Sequence, residues 1–377
     1  MENRSAEIDS LRGCAAAVVL IAHSLNYLPH SVGQRSEFSY AFVWDALING
    51  RVSVLLFFCM SGFVLSYPYF LGTKNERNLK LDIVNRLPRL LVPIFIAGVA
   101  TYFLQSYFSR QEILPFENIF ANYHWAERWR IDNWSVVDAM QFLLFRVLFG
   151  YDNLESYNVN LWTMPIEFAY SFMVFALVSL FVGRRNQAVA CFFLWLLLCL
   201  TWQSGFKLRI WFVIDGAQFL FGVICAYLVA KKGFFYLFLN KRRGTTILIG
   251  ALGLIASSYA YHLRREGITH GRFLDHIATV LLFLSFLYYH NKTSIFTSKA
   301  LIFSGYISFQ LYLLHGGILF ASFSYTINTV KSYNFQSYAI TLLIIYPVIF
   351  LMSFITTRYL EYPLIRKIKH RLSIALK

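Results

Sequence analysis

An all-α, polytopic membrane bundle of about ten spanning helices is the fold class this sequence predicts, and three observations predict it. Of the 377 residues, 58% are hydrophobic and 19% aromatic, and 14% are charged, where soluble domains carry about 25% charge. The mean hydropathy is +0.53. The apolar residues fall in blocks of about 20, the length that crosses a hydrocarbon core of roughly 30 Å at 1.5 Å per residue. Disorder, coiled coil and a disulfide-stapled miniprotein are thereby excluded. The net charge of +15 comes from 34 Lys and Arg against 19 Asp and Glu. In a soluble chain it would raise nucleic acid. Here basic loops held on the cytoplasmic side explain it, and no nucleic-acid partner is expected.

Taken in order, the expected spans are 11–29, 52–71, 90–108, 160–182, 188–202, 210–230, 245–262, 275–290, 303–325 and 338–360, within one membrane domain over 1–377. The opening MENRSAEIDSLRG mixes acids and bases, and no small-residue cleavage site follows the first apolar block. That block is expected to be a retained span. An even number of spans puts both termini on one side. With the N-terminus inside, the inner segments hold more Lys and Arg than the outer loops, so both termini are expected in the cytoplasm. The connection 109–159 is the long external loop. Within it, Val136 to Phe149 is apolar but broken by Asp138 and Arg146. Too short to span, it suits an interfacial or re-entrant helix that roofs a site. Asn133-Trp134-Ser135 is a glycosylation sequon on the outer side. Cys14, Cys59, Cys191, Cys199 and Cys225 all lie in apolar blocks as small hydrophobes, without a CxxC pair.

An ionisable group at bilayer depth is costly and marks a functional site by default. Arg12 and His23 are separated by about three helical turns, so they share a face roughly 16 Å apart along the axis. Arg12 has the alternative of snorkelling to the interface, and His23 that of a hydrogen-bonded interior histidine. Counting rise from each span's start puts His23, His315, Glu167 and Ser61 at a common depth, roughly 10–13 Å below the outer face. Each has a duller reading. Glu167 could pair with an arginine that holds the bundle, His315 could donate to a carbonyl in a Gly316-Gly317 turn, and Ser61-Gly62 could be a small-residue helix contact. Asp215, shallower, reads as a structural partner. Histidine with carboxylate in a shielded layer is what a general base and its orienting group require. A histidine-carboxylate metal site would compete, but no HExxH or comparable spacing is present, and no metal is expected. Arg86 and Arg89, in RLPRLLVP at the start of the third span, read as positive-inside anchors or as a bidentate phosphate clamp.

Taken together these segments resemble the acyltransferase 3 family of integral membrane acyltransferases. Ile8-Asp9-Ser10-Leu11-Arg12-Gly13 with His23 resembles its opening LDGLRG and downstream histidine. Leu56 to Phe63 is similar to its FF..SGF, and Arg86 to Pro93 to its RxxRLxP. Leu161-Trp162-Thr163-Met164-Pro165-Ile166-Glu167 resembles LWSLxxE, Gly305-Tyr306-Ile307-Ser308 with Leu311-Tyr312-Leu313-Leu314-His315 the late SYSxYLxH, and Glu361-Tyr362-Pro363 the closing ExP. Thr163, Pro165 and Phe309-Gln310 depart from the pattern, and no appended soluble domain is seen. The resemblance implies transfer of an acyl group, usually acetyl from acetyl-CoA, to a hydroxyl of a surface polysaccharide or lipid-linked glycan at the bacterial inner membrane. The acyl-CoA is a cosubstrate, and no permanently bound cofactor is implied. Carried over, His23 is the essential base, and Arg12, Arg86 and Arg89 serve the donor or its charge. Glu167 supports His23 or the acceptor, while Ser61, His315, Trp162 and Tyr312 contact substrate or donor. The other expected partner is membrane lipid. A transporter or flippase of lipid-linked saccharides is the competing class, mildly disfavoured because no internal repeat stands out.

Overall fold

The computed structural model describes residues 2–29, 42–109, 119–120, 124, 127–129, 134–151, 156–181, 210–232, 243–289, 295–330 and 332–375. Among them the regular elements are all helical. Nine helices among the described residues are long and apolar enough to cross a membrane. They coincide with nine of the expected spans, and the tenth, 188–202, lies outside the described residues, as do Asn133 and Lys377.

The main helices are α1 (Glu2–Ser24), α2 (Phe42–Leu47), α3 (Gly50–Phe70), α4 (Glu76–Ser109), α5 (Val136–Gln141), α6 (Met164–Phe181), α7 (Ile210–Lys231), α8 (Arg243–Arg265), α9 (His270–Tyr289), α10 (Lys299–Thr329), α11 (Phe335–Ile355) and α12 (Tyr362–Ala375). Several overrun their expected ends. α4 has 34 residues and α10 has 31, because a helix ends where its capping and packing end, whereas the expected limits were set where charge begins. Arg86 and Arg89 therefore lie well inside α4, not at its start. α11 runs through a π-helical segment, Thr356–Glu361, into α12. Pro88 and Pro93 lie inside α4. Each lacks the N–H that would bond the carbonyl four residues earlier, so Val84 O and Arg89 O lose a helical donor, a loss that a spanning helix tolerates when neighbours supply other partners. Separately, Gln310 Nε2 donates to Pro93 O at 3.4 Å.

The chain forms two compact units, 1–15, 42–86 and 166–305, and 16–41, 87–165 and 306–377. In the first, the core is built from α3, α7 and α9 through Leu56, Met60, Phe63, Phe221, Cys225 and Phe283. Close approach of α3 to α7 needs glycine on both sides. A Cβ on Gly62 would collide with the Phe219 carbonyl, and one on Gly222 with that of Cys59. Where the starts of α3, α7 and α9 meet the end of α8, the same unit buries a charge network. Arg51 lies 2.6 Å from Asp215 and 3.2 Å from Asp275, Arg264 lies 3.0 Å from Asp275, and His276 lies 3.3 Å from Asp215. Asp215 is thus a structural partner, as its shallow position suggested.

The second unit has an aromatic core. Tyr27 stacks on Phe323 at 4.6 Å between centroids, Phe323 stacks on Tyr338 at 5.6 Å, and Phe120 meets Tyr27 edge-on at 5.2 Å. The apolar stretch from Val136 is helical through α5, a π segment Phe142–Arg146 and Val147–Phe149. It buries Ala139, Phe142, Leu143 and Val147 and exposes Val137, Phe145 and Phe149, the two-faced pattern an interfacial helix requires. Ser135 caps it in a reciprocal box with Asp138. The hydroxyl and amide of Ser135 hold the Asp138 carboxyl below the usual carboxylate range.

Candidate active site

His23 is the penultimate residue of α1, where backbone carbonyls run out of helical partners. Tyrosines of the same unit satisfy them. Tyr338 donates to Ser24 O at 3.3 Å and Tyr333 to Tyr27 O at 2.6 Å, while Tyr346 donates to Ser24 Oγ at 3.0 Å. Ser24 Oγ in turn donates to Leu20 O at 2.8 Å. The end of α1 is therefore pinned, and His23 with it. Its Nδ1 lies 2.8 Å from His315 Nε2 with the ring centroids 5.0 Å apart. His315 has 0% exposure, and its Nδ1 is 2.9 Å from Leu311 O.

One short turn completes the setting. Asn158 accepts from the Asn160 amide at 3.0 Å and so starts the 3-10 turn Val159–Thr163. Its Nδ2 donates to Leu313 O at 3.2 Å. Asn160 Nδ2 donates to Tyr312 O at 3.0 Å and lies 3.5 Å from His315 Nε2. Tyr312 OH returns a bond to Asn160 O at 3.1 Å, and Thr163 Oγ1 lies 3.3 Å from the Tyr312 hydroxyl. These bonds use second lone pairs of α10 carbonyls, since a carbonyl oxygen accepts twice. The helix runs unbroken through Gly316 and Gly317. The Gly-Gly turn expected there is absent, because the glycines serve close packing: a Cβ on Gly316 would strike Trp129, and one on Gly317 would crowd Thr101. His315 donates one turn earlier than that alternative supposed.

In the first unit, Glu167 near the start of α6 accepts through Oε1 from Ser61 Oγ at 2.9 Å and from Arg86 Nη2. The pairing with an arginine weighed as the duller reading of Glu167 is thus present, and its partner is Arg86. Arg86 is buried at 9% exposure. Its Nε has no hydrogen-bond partner among the described residues, and neither does the buried Arg12 Nε. Arg89 is exposed and Trp162 half-buried. The expected shared layer thus yields two contact groups, His23 with His315 in one unit and Ser61 with Glu167 and Arg86 in the other.

Sequence reasoning missed Asn158 and Asn160. The signal was the Asn-x-Asn just before an apolar span, where an asparagine acts as a local cap. It also missed the tyrosines around Ser24, which nothing local marks. Among the described residues no group of three or more His, Cys, Asp or Glu side chains could hold a metal ion.

Comparison with curated proteins and with solved structures finds no match. The acyltransferase domain of the acyltransferase 3 family matches residues 5–358, a stretch that takes in His23, Ser61, Arg86, Glu167 and His315. By that match, over a bundle of apolar helices, the chain belongs to the acyltransferase 3 family of membrane acyltransferases.

Proposed function

We propose that the protein transfers an acyl group, acetyl in the first instance, from acyl-CoA to a hydroxyl of a surface polysaccharide or lipid-linked glycan, with His23 as general base. The observation that carries this reading is the 2.8 Å contact of His23 with a second, fully buried histidine, inside a chain of an acyltransferase family. An imidazole is the side chain whose unperturbed pKa, near 6.5, suits proton transfer at neutral pH.

The step runs as follows. His23 takes the proton of the acceptor hydroxyl while its oxygen attacks the thioester carbonyl. The tetrahedral intermediate collapses with cleavage of the C–S bond, and the CoA sulfur leaves as a thiolate. That thiolate takes the proton from the imidazolium, so the products are ester and free CoA thiol. Arg12, Arg86 and Arg89 are assigned to the phosphates and charge of the donor, since a guanidinium matches phosphate bidentately. Because Glu167 engages Arg86, binding through Arg86 has to compete with that carboxylate. Trp162 and Tyr312 are assigned to acceptor or donor contact. The topology assigned is both termini in the cytoplasm of a bacterial inner membrane, with donor delivered from inside and acceptor from outside.

Thiol release tests the activity. Purified protein given acetyl-CoA and the envelope glycans of its host should liberate CoA thiol and add acetyl mass to the glycan, and a transporter would do neither. C-terminal reporter fusions test the topology, with a periplasmic C-terminus overturning it.

A further inference from the structure

The contacts of the His23–His315 pair determine which ring nitrogen of His23 carries the lone pair. A backbone carbonyl only accepts, so His315 Nδ1, 2.9 Å from Leu311 O, must carry a hydrogen. A neutral His315 then has its lone pair on Nε2. A second observation gives the same answer independently. Asn160 donates through Nδ2 to Tyr312 O at 3.0 Å, which fixes the way its amide points. The same NH2 group lies 3.5 Å from His315 Nε2, so an N–H donor faces that nitrogen. An acceptor nitrogen suits this arrangement, and an N–H there would set two donors against each other. With Nε2 of His315 accepting, His23 Nδ1 at 2.8 Å must donate.

We infer that His315, itself oriented by Leu311 O and Asn160, is the positioning residue that holds His23 in its Nδ1–H tautomer and makes Nε2 of His23 the basic nitrogen. Histidine in water prefers the opposite tautomer, with hydrogen on Nε2, so the protein has to impose this one. When His23 takes up a proton, the Nδ1–H···Nε2 bond to His315 persists and strengthens as its donor becomes charged. The imidazolium thus forms without rearrangement of its partner. This inference rests on the reading of His23 as base for its consequence, but not for its geometry.

Imidazole nitrogen chemical shifts report the tautomer directly and need no substrate. The full chain, labelled with 15N-histidine and held in lipid nanodiscs, has nine histidines, and the His23 signals are those lost in His23→Gln. At neutral pH the wild type should show His23 protonated at Nδ1. In His315→Ala the acceptor is gone, and His23 should revert to the Nε2–H form. In His315→Gln the side-chain oxygen can accept from Nδ1–H, so the native tautomer should return. Asn160→Asp sets a carboxylate oxygen at His315 Nε2. With Nδ1–H still held by Leu311 O, His315 takes up a second proton from solvent there, Nε2 becomes a donor, and His23 should switch as in His315→Ala.

Thiol release from acetyl-CoA with host envelope glycan supplies the kinetic readout. A catalytic histidine in the wrong tautomer costs about 10⁴ in kcat in the serine-protease example. His315→Ala should therefore lower kcat by about 10² to 10⁴ with KM within about threefold, and His315→Gln should recover at least about tenfold of that loss. A wild-type His23 protonated at Nε2 overturns the inference, and so does a His315→Ala protein that keeps both the Nδ1–H signal and its kcat. If instead the tautomers behave as stated while His23→Ala turns over normally, the base reading fails and the tautomer assignment stands.

Discussion

The two compact units treat buried polar groups in opposite ways. In the first, Arg51 and Arg264 meet Asp215 and Asp275, so two cations face two anions. Neutral groups tie Asp275, Arg264 and the neighbouring His276 further. Asn49 donates to Asp275 at 3.1 Å and accepts from Arg264 at 2.9 Å, and Gln218 lies 2.7 Å from His276 Nδ1. In the second, the partners of His315 are a carbonyl, an amide and another imidazole. Compensated charges fix their protons and their positions, because removing any member strands a charge in a low-dielectric interior. A neutral imidazole pair leaves one lone pair to be allocated, and small contacts decide where it goes. The first arrangement holds helices together, and the second, on the proposed reading of His23, keeps a proton acceptor ready.

Substitution should separate the two kinds of site, and the largest effect belongs to the histidine pair. His23→Ala is expected to lower acyl transfer by about 10²-fold or more while leaving thermal unfolding nearly unchanged. Near-normal turnover in that variant removes the mechanism. The charge network should behave in reverse. Asp275→Ala leaves Arg264 and one contact of Arg51 uncompensated and is expected to destabilise the fold by about 3–5 kcal/mol, with normal kcat in whatever protein remains folded. Chemical denaturation in detergent together with thiol release gives both numbers. A variant of Asp275 that kept its stability and lost turnover would erase the contrast.

Much of this contrast was legible in the sequence, for physical reasons that differ by residue. His23 and His315 stand out because ionisable groups are rare in apolar blocks, and the fixed rise of a helix gives their depth. Their contact follows from equal depth once the helices lie side by side. The pairing of Glu167 with Arg86 was visible only as a generic alternative, because rise along a helix gives depth and says nothing of which helix lies opposite. Asn160 was invisible for a further reason. Its contribution comes from donating to a helix carbonyl that already has a partner, and no periodicity marks such a second bond. The early start of α4 was missed because the sequence shows where hydrocarbon-compatible residues begin, while helical structure continues through charged positions such as Arg77, Lys80 and Asp82.

The Ser61–Glu167–Arg86 group lies between the two extremes, and it sharpens the comparison with the smallest effects. It holds one anion and one cation, like the network, yet its members fall in the segments that resemble the family's motifs. If it is a structural pair, Glu167→Gln should cost stability, because Arg86 keeps a hydrogen-bond acceptor but loses its counter-charge. If Arg86 is held ready for donor phosphate, the same change should release it and tighten CoA binding, more so at low salt where charge pairs are less screened. Arg86→Ala should then weaken CoA binding, with Arg86→Lys recovering only part because the bidentate fork is lost. Titrating CoA against the purified variants decides, and equal affinities in all of them would assign the group to the network's class. Ser61→Ala removes one hydrogen bond to a carboxylate and is expected to destabilise by about 1.5–3 kcal/mol at most. Because Ser61 also sits beside Gly62, whose contact with Phe219 packs α3 on α7, the informative variant is Ser61→Ala and not a larger residue. It deletes the bond to Glu167 while leaving the helix approach intact, so a change in CoA affinity without a change in unfolding would tie the hydroxyl to the donor through Glu167.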